Sequence, residues 1–257
     1  MLFRSVIIAT GGFTYKATGS TGDGYVFAKS LGHSIVQPKP SLIGFVTAEK
    51  HGLAGLTLKN VTLKLAQKTN EKVIGNMFGE MLFTHNGLSG PIALTLSTFA
   101  AKYDLKDLIL MIDLKPALTM PQLNSRILRD FAEQKNKAFK NSLYMLLPVS
   151  LADYIVSYSA IDPDKQVNSI TALERKNLCN LIKGLTFNVN GFDNADTAIV
   201  TSGGVNVKEI NPNTMESKLV KNLYFCGEVI DVDALTGGFN LQIAFSTGFV
   251  AGKNAAI

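Results

Sequence analysis

The spacing of apolar residues along this chain alternates between the period of a strand and that of a helix. The changes in spacing divide the sequence into three parts. The first part joins an apolar run, Ser5 to Ala9, to a helical pattern that Thr21 opens as a cap and Gly32 closes. A glycine turn separates the two. Two prolines in QPKPSL then break the pattern and indicate a crossing between domains. The first part is therefore predicted to be α/β.

The middle part has a different character. Over residues 39–116 apolar residues alternate with polar ones, with a slip at Lys59-Asn60, which predicts a β-rich and mostly antiparallel portion. Over residues 117–189 the spacing becomes helical, in the segments PQLNSRILRDFAEQ, NSLYMLLP, SLADYIVSYS and TALERKNLCNLI. We predict that residues 39–189 form one inserted domain.

The last part returns to short strands and one long helix. TFNVNGF, ADTAIVTSGGV and LYFCGE are strand patterns, the second with a glycine turn at Gly203-Gly204, and a helix begins near Asn240. The predicted fold class is α/β, with a domain of residues 1–38 and 190–257 that is interrupted by the inserted one.

Composition narrows the class of protein. Hydrophobic residues make up 46% and charged residues 18% of the chain, a balance typical of a compact globular protein. No apolar run reaches the ~18 residues that a membrane span needs, and no secretory signal is visible, so we expect a cytoplasmic protein without a membrane partner. Cys179 and Cys226 share no metal-ligand spacing with the histidines; we interpret both as core residues and expect no metal site.

A net charge of +5 and a pI near 9.1 raise the question of a nucleic-acid partner. The densest basic group, Arg126 to Lys140, is interleaved with Asp130 and Glu133 and is typical of a solvated helix face. Aromatic and basic residues do not alternate as a platform for single strands requires. We therefore expect no nucleic-acid partner, and nucleic-acid binding remains the third hypothesis for this chain.

A carboxylate directly after a buried strand is the first candidate for chemistry. Glu228 follows LYFCG, and the carboxyl ends of strands are where open α/β sheets bind ligands. Gly237-Gly238 precede a helix whose free amides favour an anion, and they lack a Cβ that would hinder its approach. ATGG, after the first strand, is a second glycine site. For each of these sites the alternative is an ordinary turn.

Histidines give weaker candidates for catalysis. His85 lies among glycines and serines in GEMLFTHNGLSGP, where it is either a proton donor or, more commonly, a residue that fixes a loop by hydrogen bonding. His33 and His51 are weaker candidates still. No serine nucleophile motif is visible, since GLSGP is not G-x-S-x-G. We assign no catalytic residue.

Several of these stretches, taken in order, resemble a bacterial family of FAD proteins. They are VIIATGG, TGSTGDGYVFAKSLGH, GEMLFTHNGLSGP, VTSGGV, TMESK and LYFCGEVIDVDALTGGFNLQIAFSTGFVAG. The family is that of the NAD(P)/FAD-dependent oxidoreductases with aminoacetone oxidase and the BaiN-like flavoproteins, and the resemblance extends over nearly the whole chain. It implies a partial Rossmann-like FAD-binding domain, residues 1–38 and 190–257, with an inserted β-rich and helical domain.

The resemblance also implies a cofactor site. Residues 9–12 would lie on the ADP side of FAD, Gly227 and Glu228 near the pyrophosphate and ribityl chain, and the residues from Gly238 onward at the isoalloxazine end. The TSGGV segment would face the flavin or the substrate. The candidate cofactor-binding residues are Ala9, Thr10, Gly11, Gly12, Gly227, Glu228, Gly237, Gly238, Phe239, Asn240 and Leu241. FAD is the implied cofactor, NAD(P)H the electron donor, and a small molecule the substrate.

The chain departs from this family in one respect. Members begin with a strand, a glycine loop of the G-x-G-x-x-G type and an acidic residue after the second strand, and none of these is present here. We therefore interpret the chain as lacking the amino-terminal dinucleotide-binding segment, and we expect it to retain FAD poorly on its own. We also expect a homo-oligomer or the missing half to cover the open sheet. The leading hypothesis is a flavin-dependent oxidoreductase, and the alternative is a cofactor-free remnant that acts as an interaction or scaffold protein.

Overall fold

The computed structural model describes residues 4–256, which form two compact units; residues 1–3 and 257 of the predicted α/β domain lie outside the described residues. The first unit holds the described residues up to Gly44 and from Phe192 onward, and the second holds residues 45–191. The strands are β1 (Val6–Ile8), β2 (Ile35–Ser41), β3 (Phe45–Thr47), β4 (Thr57–Gln67), β5 (Val73–Phe83), β6 (Gly87–Ser89), β7 (Leu108–Asp113), β8 (Leu185–Phe192), β9 (Val200–Val205) and β10 (Leu223–Phe225). The helices are α1 (Asp23–Ser30), α2 (Pro91–Ala100), α3 (Met120–Glu133), α4 (Val149–Tyr158), α5 (Ala172–Lys183) and α6 (Phe239–Ala255).

Two small sheets organise the first unit, and the α/β class predicted from the sequence is confirmed. β1 pairs in parallel with β10, β2 pairs antiparallel with β9, and α6 packs against both parallel strands. The buried core includes Ile8, Tyr25, Ala28, Val205, Leu223, Phe225 and Ala251. That this unit is a cofactor-binding domain stays a prediction.

The predicted break at QPKPSL is wrong, because both prolines lie inside β2. Proline cannot donate to a sheet and therefore occupies edge strands and bulges. β2 is paired only with β9 among the described strands, and its register shifts between Val36 and Lys39, around Pro38. An irregular edge strand therefore accommodates prolines that the sequence alone presents as a breaker.

The predicted glycine turn at Gly203-Gly204 is also wrong, since both glycines lie within β9. A Cβ on Gly203 would lie 2.7 Å from the carbonyl oxygen of Gln37, and one on Gly204 would lie 2.5 Å from that of Val229. The glycines thus permit close approach of neighbouring backbones, which is the second common reason for glycine in a strand.

The second unit is built on a closed barrel of six strands in the order β3, β6, β5, β4, β7, β8. The predicted slip in β4 is confirmed as a register shift between Leu58 and Val61, where Asn60 has a φ of 56°. Leu63 lies opposite Ile112, and both side chains are fully buried. The strand in TFNVNGF, which we grouped with the last α/β part, pairs with β7 in this barrel.

The helical portion follows the predicted pattern with one difference. α3 and α5 begin at Thr119 and Thr171, each with a capping box. NSLYMLLP forms turns that end at Pro148 instead of the predicted helix, and its three leucines are buried in them. In the first unit, α1 is capped by Gly22 in a left-handed conformation, and the predicted cap at Thr21 is wrong.

Candidate functional site

The pairing of β1 with β10 determines where the candidate residues meet. The two strands run in parallel with Ile8 opposite Phe225, so the segments that follow them leave the sheet at the same edge. One segment contains Ala9 to Gly12 and the other Gly227 and Glu228. The carboxyl edge of parallel strands is where open α/β sheets bind ligands. The two candidate turns are therefore neighbours in this unit.

The turn after β10 has a defined shape. Gly227 has a φ of 75° and opens a single turn of 3-10 helix, Gly227–Val229. A Cβ on Gly227 would meet no atom within 4 Å, so glycine is needed there for its conformation and not for space. The Gly227 amide donates to Thr247 Oγ1 in α6 at 2.9 Å, which ties the turn to the middle of that helix.

Glu228 connects the two turns through Thr201. Its Oε1 accepts a hydrogen bond of 2.5 Å from the backbone amide of Thr201, the second residue of β9. The hydroxyl of Thr201 in turn accepts a hydrogen bond of 3.0 Å from the amide of Phe13. A Cβ on Gly12 would lie 2.2 Å from Thr201 Oγ1 and 2.9 Å from Glu228 Oε1. Gly12 is therefore required for this close packing.

Tyr25 lies beneath this cluster with a buried hydroxyl. The hydroxyl faces Thr201 but makes no hydrogen bond of normal geometry within the described residues. Burial, and next the negative charge of Glu228, raise the pKa of Tyr25 to about 12. In α1, Gly24 is packed in the same way as Gly12, since a Cβ there would lie 2.0 Å from the hydroxyl oxygen of Thr10.

The start of α6 carries the remaining candidates. Gly238 is the N-cap with a φ of 87° and, as a glycine, has no side chain that could cap the helix. The first amides of a helix have no partner within it and lie at the positive end of its dipole. Asn240 fixes the preceding loop, because its amide group accepts from the nitrogen of Ala234 and donates to the oxygen of Ala234, each at 2.8 Å. A Cβ on Gly238 would meet no atom within 4 Å.

An acidic pair lies in the loop between the turn and the helix. Asp233 accepts hydrogen bonds from the hydroxyls of Ser202, at 2.9 Å, and Ser41, at 3.3 Å. Burial, and next the charge of Asp233, raise the pKa of Asp231 above its ordinary value. This loop is therefore held to β2 and β9 by its own carboxylate.

The structure brings together some of the predicted site residues and separates others. Gly12 and Glu228 pack closely, with Thr201 between them. The first turn of α6 is joined to the site through the loop that the Asn240 side chain holds. The side chains of Phe239 and Leu241 in that turn are largely exposed, at 59% and 64%. Ala9, Thr10, Gly237 and Gly238 are also exposed.

The residues missed by sequence reasoning are Tyr25, Gly24 and Asp233. Thr201 was included only as part of TSGGV. Each makes its contact with a residue far away in the sequence, so no local pattern marks it.

His33 makes a triad-like arrangement without a usable nucleophile. Its Nδ1 lies 3.1 Å from Glu209 Oε2, and its Nε2 lies 2.9 Å from Ser217 Oγ. Ser217 Oγ also accepts hydrogen bonds from the amides of Leu219 and Val220, and both Ser217 and His33 are buried. The arrangement holds loops together.

The other two histidines lie in the barrel unit. His51 is buried beside the rings of Phe83 and Phe187, and burial lowers its pKa. His85 is exposed in the turn between β5 and β6. A catalytic role for His85 stays a prediction.

Residues 4–256 contain no group of three His, Cys, Asp or Glu side chains that could hold a metal ion. They also contain no helix long and apolar enough to cross a membrane.

Parallel strands whose following turns converge at one edge, beside a long helix, are typical of Rossmann-like α/β proteins. Comparison with known proteins gives the family. The model described as "HI0933-like protein Rossmann domain" matches residues 1–254, and the chain belongs to this family.

Three curated relatives match nearly all of the chain. The 3-dehydro-bile acid delta(4,6)-reductase of Clostridium scindens is 30% identical over 98% of this chain and 62% of its own length. The ribosomal RNA dihydrouridine synthase of Haemophilus influenzae is 32% identical over 96% of this chain and 59% of its own length. The protein of the same name from Escherichia coli is 30% identical over 98% and 60%. The chain thus spans about three fifths of the length of these relatives.

We predict that Gly12→Ala destabilises the first unit. The new Cβ would overlap the Thr201 hydroxyl and press on Glu228, and overpacking of this kind costs about 1–3 kcal/mol. Urea unfolding followed by circular dichroism measures the loss. Gly248→Ala is the control, because a Cβ there meets nothing within 4 Å and alanine favours a helix by about 1 kcal/mol. Equal stability of the two variants would contradict the close packing.

A second prediction concerns Tyr25→Phe. Because the Tyr25 hydroxyl is buried without a good partner, its removal should leave the free energy of unfolding unchanged or raise it at pH 8. The unfolded tyrosine loses its proton near pH 10 and the folded one near pH 12, so the wild type loses stability as the pH rises between these values. The variant should lose less.

Urea unfolding at pH 8, 10 and 11 measures this difference. Tyr15→Phe, which alters an exposed tyrosine, serves as the control and should follow the wild type. If Tyr25→Phe shows the same dependence on pH as the wild type, Tyr25 does not hold its proton in the folded state.

Proposed function

We propose that this chain is part of a flavin-dependent oxidoreductase that holds FAD at the carboxyl edge of β1 and β10. The observation that carries the proposal is the meeting of the Gly12 turn with Glu228 at that edge, in a chain of the HI0933-like Rossmann-domain family. Bound FAD would supply hydride transfer to a substrate, with NAD(P)H as the electron donor.

The residues at this edge fit such a cofactor. One carboxylate oxygen of Glu228 is used by the Thr201 amide, which leaves the other to accept a hydrogen bond from a hydroxyl of the ribityl chain or ribose. Gly227 and Gly238 border open space, because an added Cβ would meet nothing within 4 Å at either one. A ligand can therefore approach both backbones closely.

The start of α6 would contribute electrostatics. The amides of its first turn lie at the positive end of the helix dipole, which favours a phosphate or carbonyl oxygen at that point. The Asn240 side chain keeps the loop before the helix in one conformation, so these amides are oriented before a ligand arrives. We assign no catalytic side chain.

The names of the relatives support a reaction type. A Δ(4,6)-reductase of a 3-dehydro steroid and a dihydrouridine synthase both add two hydrogens to a carbon–carbon double bond conjugated to a carbonyl group. We therefore propose that the substrate of the present chain also carries a double bond of this kind. The substrate class that we expected from the sequence is a small molecule.

A cofactor-free scaffold is the alternative to a flavoenzyme, and FAD binding separates the two. FAD fluorescence is followed while the protein is added, and the protein is then reduced anaerobically with NADPH or NADH. We expect the wild type to bind FAD weakly but measurably, and Glu228→Ala to bind it about tenfold more weakly still, a difference of about 1.4 kcal/mol. Glu228→Gln should fall between them, since it keeps an oxygen for the Thr201 amide and removes the charge.

Glu133→Ala, in the exposed part of α3, is the control and should bind as the wild type does. If the wild type does not bind FAD at any soluble concentration, the scaffold alternative is supported. If Glu228→Ala binds as tightly as the wild type, FAD is held elsewhere.

An RNA substrate is a second candidate, and the distribution of charge favours it. Residues 45–191 carry 17 lysines and arginines against 12 acidic residues, a net +5, while the rest of the chain carries 8 of each. The whole excess of positive charge therefore lies in the barrel unit, where it would attract phosphates. Two of the relatives are named for ribosomal RNA. This candidate departs from our expectation of no nucleic-acid partner.

Salt dependence tests the RNA candidate. Lys68, Lys72 and Lys106 lie together at one end of the β4–β5 hairpin, where Lys68 Nζ donates to the Lys106 carbonyl at 2.6 Å. Binding of a short RNA hairpin, measured by fluorescence anisotropy, should weaken steeply between 50 and 200 mM salt (about tenfold per two phosphates contacted) and be reduced when all three lysines are changed to alanine. The control is Lys208→Ala with Lys218→Ala in the first unit. Binding that ignores salt, or a control with an equal loss, contradicts an RNA site on the barrel unit.

A further inference from the structure

Two clefts flank the first turns of α3 in the barrel unit, and Pro121 lines both. One has a volume of about 390 Å³, and its polar lining consists of Gln122, Ser125, Arg126 and Arg129. The other has a volume of about 320 Å³ and lies between α3 and α5, with the polar residues Asn124, Arg175 and Lys176. None of the described residues that line either cleft is acidic. The pair is called the α3 clefts below.

The carboxylates nearest in sequence to the α3 clefts are already paired. Asp130 is 4% exposed and accepts two hydrogen bonds from Arg126 Nε, at 2.8 and 2.9 Å. Glu174 accepts two from Lys165 Nζ, at 2.8 and 2.9 Å. Arg129 Nε lies 4.0 Å from Asp130, and its side chain is 64% exposed. The carboxylates thus leave much of the positive charge in the clefts uncancelled.

The neutral polar side chains of the clefts present hydrogen-bond donors. Gln122 Oε1 accepts from the amide and the hydroxyl of Thr119, each at 2.9 Å. Asn124 Oδ1 accepts from Arg175 Nε at 2.7 Å. With its oxygen occupied, each of these amides has its NH₂ group for a ligand. Guanidinium, ammonium, amide NH₂ and the Ser125 hydroxyl are the groups that contact phosphate oxygens in nucleic-acid complexes.

Lys115 adds a further positive charge in the turn before α3. Its side chain is partly buried, and burial, and next the charge of Arg126, lower its pKa. Lys183 Nζ fixes this turn, since it donates to the carbonyls of Lys115 and Leu118 at 3.1 and 2.7 Å. Like charges gathered away from water are unfavourable. An anion bound beside Arg126 would relieve this repulsion.

The starts of α3 and α5 border the second cleft, but capping boxes already occupy them. The Thr119 side chain accepts from the Gln122 amide, and the Thr171 side chain accepts from the Glu174 amide. Affinity for an anion in the clefts therefore comes from the cationic and amide side chains and not from open helix ends.

We propose that the α3 clefts bind neighbouring phosphates of one RNA strand, which crosses α3 near Pro121. A helix with its side chains is about 10–12 Å across, so a single phosphate does not reach both clefts. A nucleic-acid strand carries one phosphate per ~3.4 Å of its axis and does reach both. This proposal deepens the RNA candidate of the proposed function and rests on it.

The clefts would position a strand without reading its sequence. Contacts to phosphate carry no information about the bases, so RNAs of unrelated sequence should bind with similar affinity. This expectation changes the interpretation of the basic group that begins at Arg126. Its first two arginines line a cleft, whereas the sequence pattern alone indicates a solvated helix face.

The test uses the full chain without FAD and two single-stranded RNAs of unrelated sequence, with binding measured by fluorescence anisotropy over a series of salt concentrations. Arg129→Gln with Lys176→Gln removes one charge from each cleft and leaves the pair of Arg126 and Asp130 intact. The slope of log K against log salt should fall by about 1.4, at ~0.7 per lost phosphate contact. Both RNAs should then bind about tenfold more weakly at physiological salt.

Lys50→Gln with Lys102→Gln is the matched control. Both lysines are exposed, belong to the barrel unit and line neither cleft. This variant loses the same charge, and its salt slope should stay close to that of the wild type. All four substituted side chains are exposed, so urea unfolding should be nearly the same in the three proteins. An equal loss of RNA binding in the control overturns the proposal, because overall charge would then explain it.

Competition separates RNA from other anions. Inorganic phosphate at constant ionic strength should leave the RNA bound, since each phosphate fills one cleft alone. Polyglutamate should displace the labelled RNA far less well than unlabelled RNA does, because the clefts offer the donors of a phosphate site. Displacement by inorganic phosphate, or equal displacement by polyglutamate, overturns the proposal in favour of a phosphate site or an acidic polypeptide.

Failure of the α3 clefts and failure of the RNA candidate have different results. If RNA binds the wild type and the Arg129 and Lys176 double variant alike, while the variant of Lys68, Lys72 and Lys106 loses binding, the α3 clefts are overturned and the RNA candidate is upheld. A wild type that binds neither RNA contradicts both. The assay contains no flavin, so the flavoenzyme proposal is tested separately.

Discussion

The parallel pairing of β1 with β10 is the constraint on which the candidate site depends. Three residue pairs, from Val6–Leu223 to Ile8–Phe225, set two distant segments side by side and release their following turns at one edge. Without this register, Gly12 and Glu228 would have no reason to meet, since more than two hundred residues and the whole barrel unit separate them in sequence. The chain leaves the α/β unit after β2 to form the barrel unit, and it re-enters the α/β unit before β9. These two strands pair with each other.

Close packing at this edge is achieved with glycine and hydroxyl side chains. Gly12 and Gly24 leave no room for a Cβ, because the hydroxyls of Thr201 and Thr10 fill that space. Glu228 then fixes the start of β9 through the Thr201 amide. The same residues that define the shape of the turn thus present a free carboxylate oxygen and open backbone at the sheet edge.

Local patterns in the sequence predicted the elements well but predicted tertiary roles poorly. β1, β10, the turn at Gly227 and the start of α6 follow from apolar runs ended by glycine. The slip in β4 was visible as a break in a period of two. These features are encoded by neighbouring residues, and the strand and helix periods are sufficient to find them.

The errors have a common physical origin. Pro38 was interpreted as a breaker and Gly203 as a turn, yet an edge strand accepts the first and the close carbonyl of Gln37 explains the second. NSLYMLLP has helical spacing but buries its leucines in turns. Tyr25 gave no signal, because its surroundings come from the distant residues Glu228 and Thr201. For Pro38, Gly203 and Tyr25 the deciding contact is long-range, and one sequence does not contain it.

The central claim is that the carboxyl edge of β1 and β10 is a cofactor site, and amide hydrogen exchange with and without FAD tests it most directly. The account predicts that saturating FAD slows exchange in three segments of the first unit: residues 9–12, 227–229 and 238–242. It predicts no change in the barrel strands β4 and β5. Protection confined to the barrel unit, or no protection at concentrations where FAD is bound, would contradict the account.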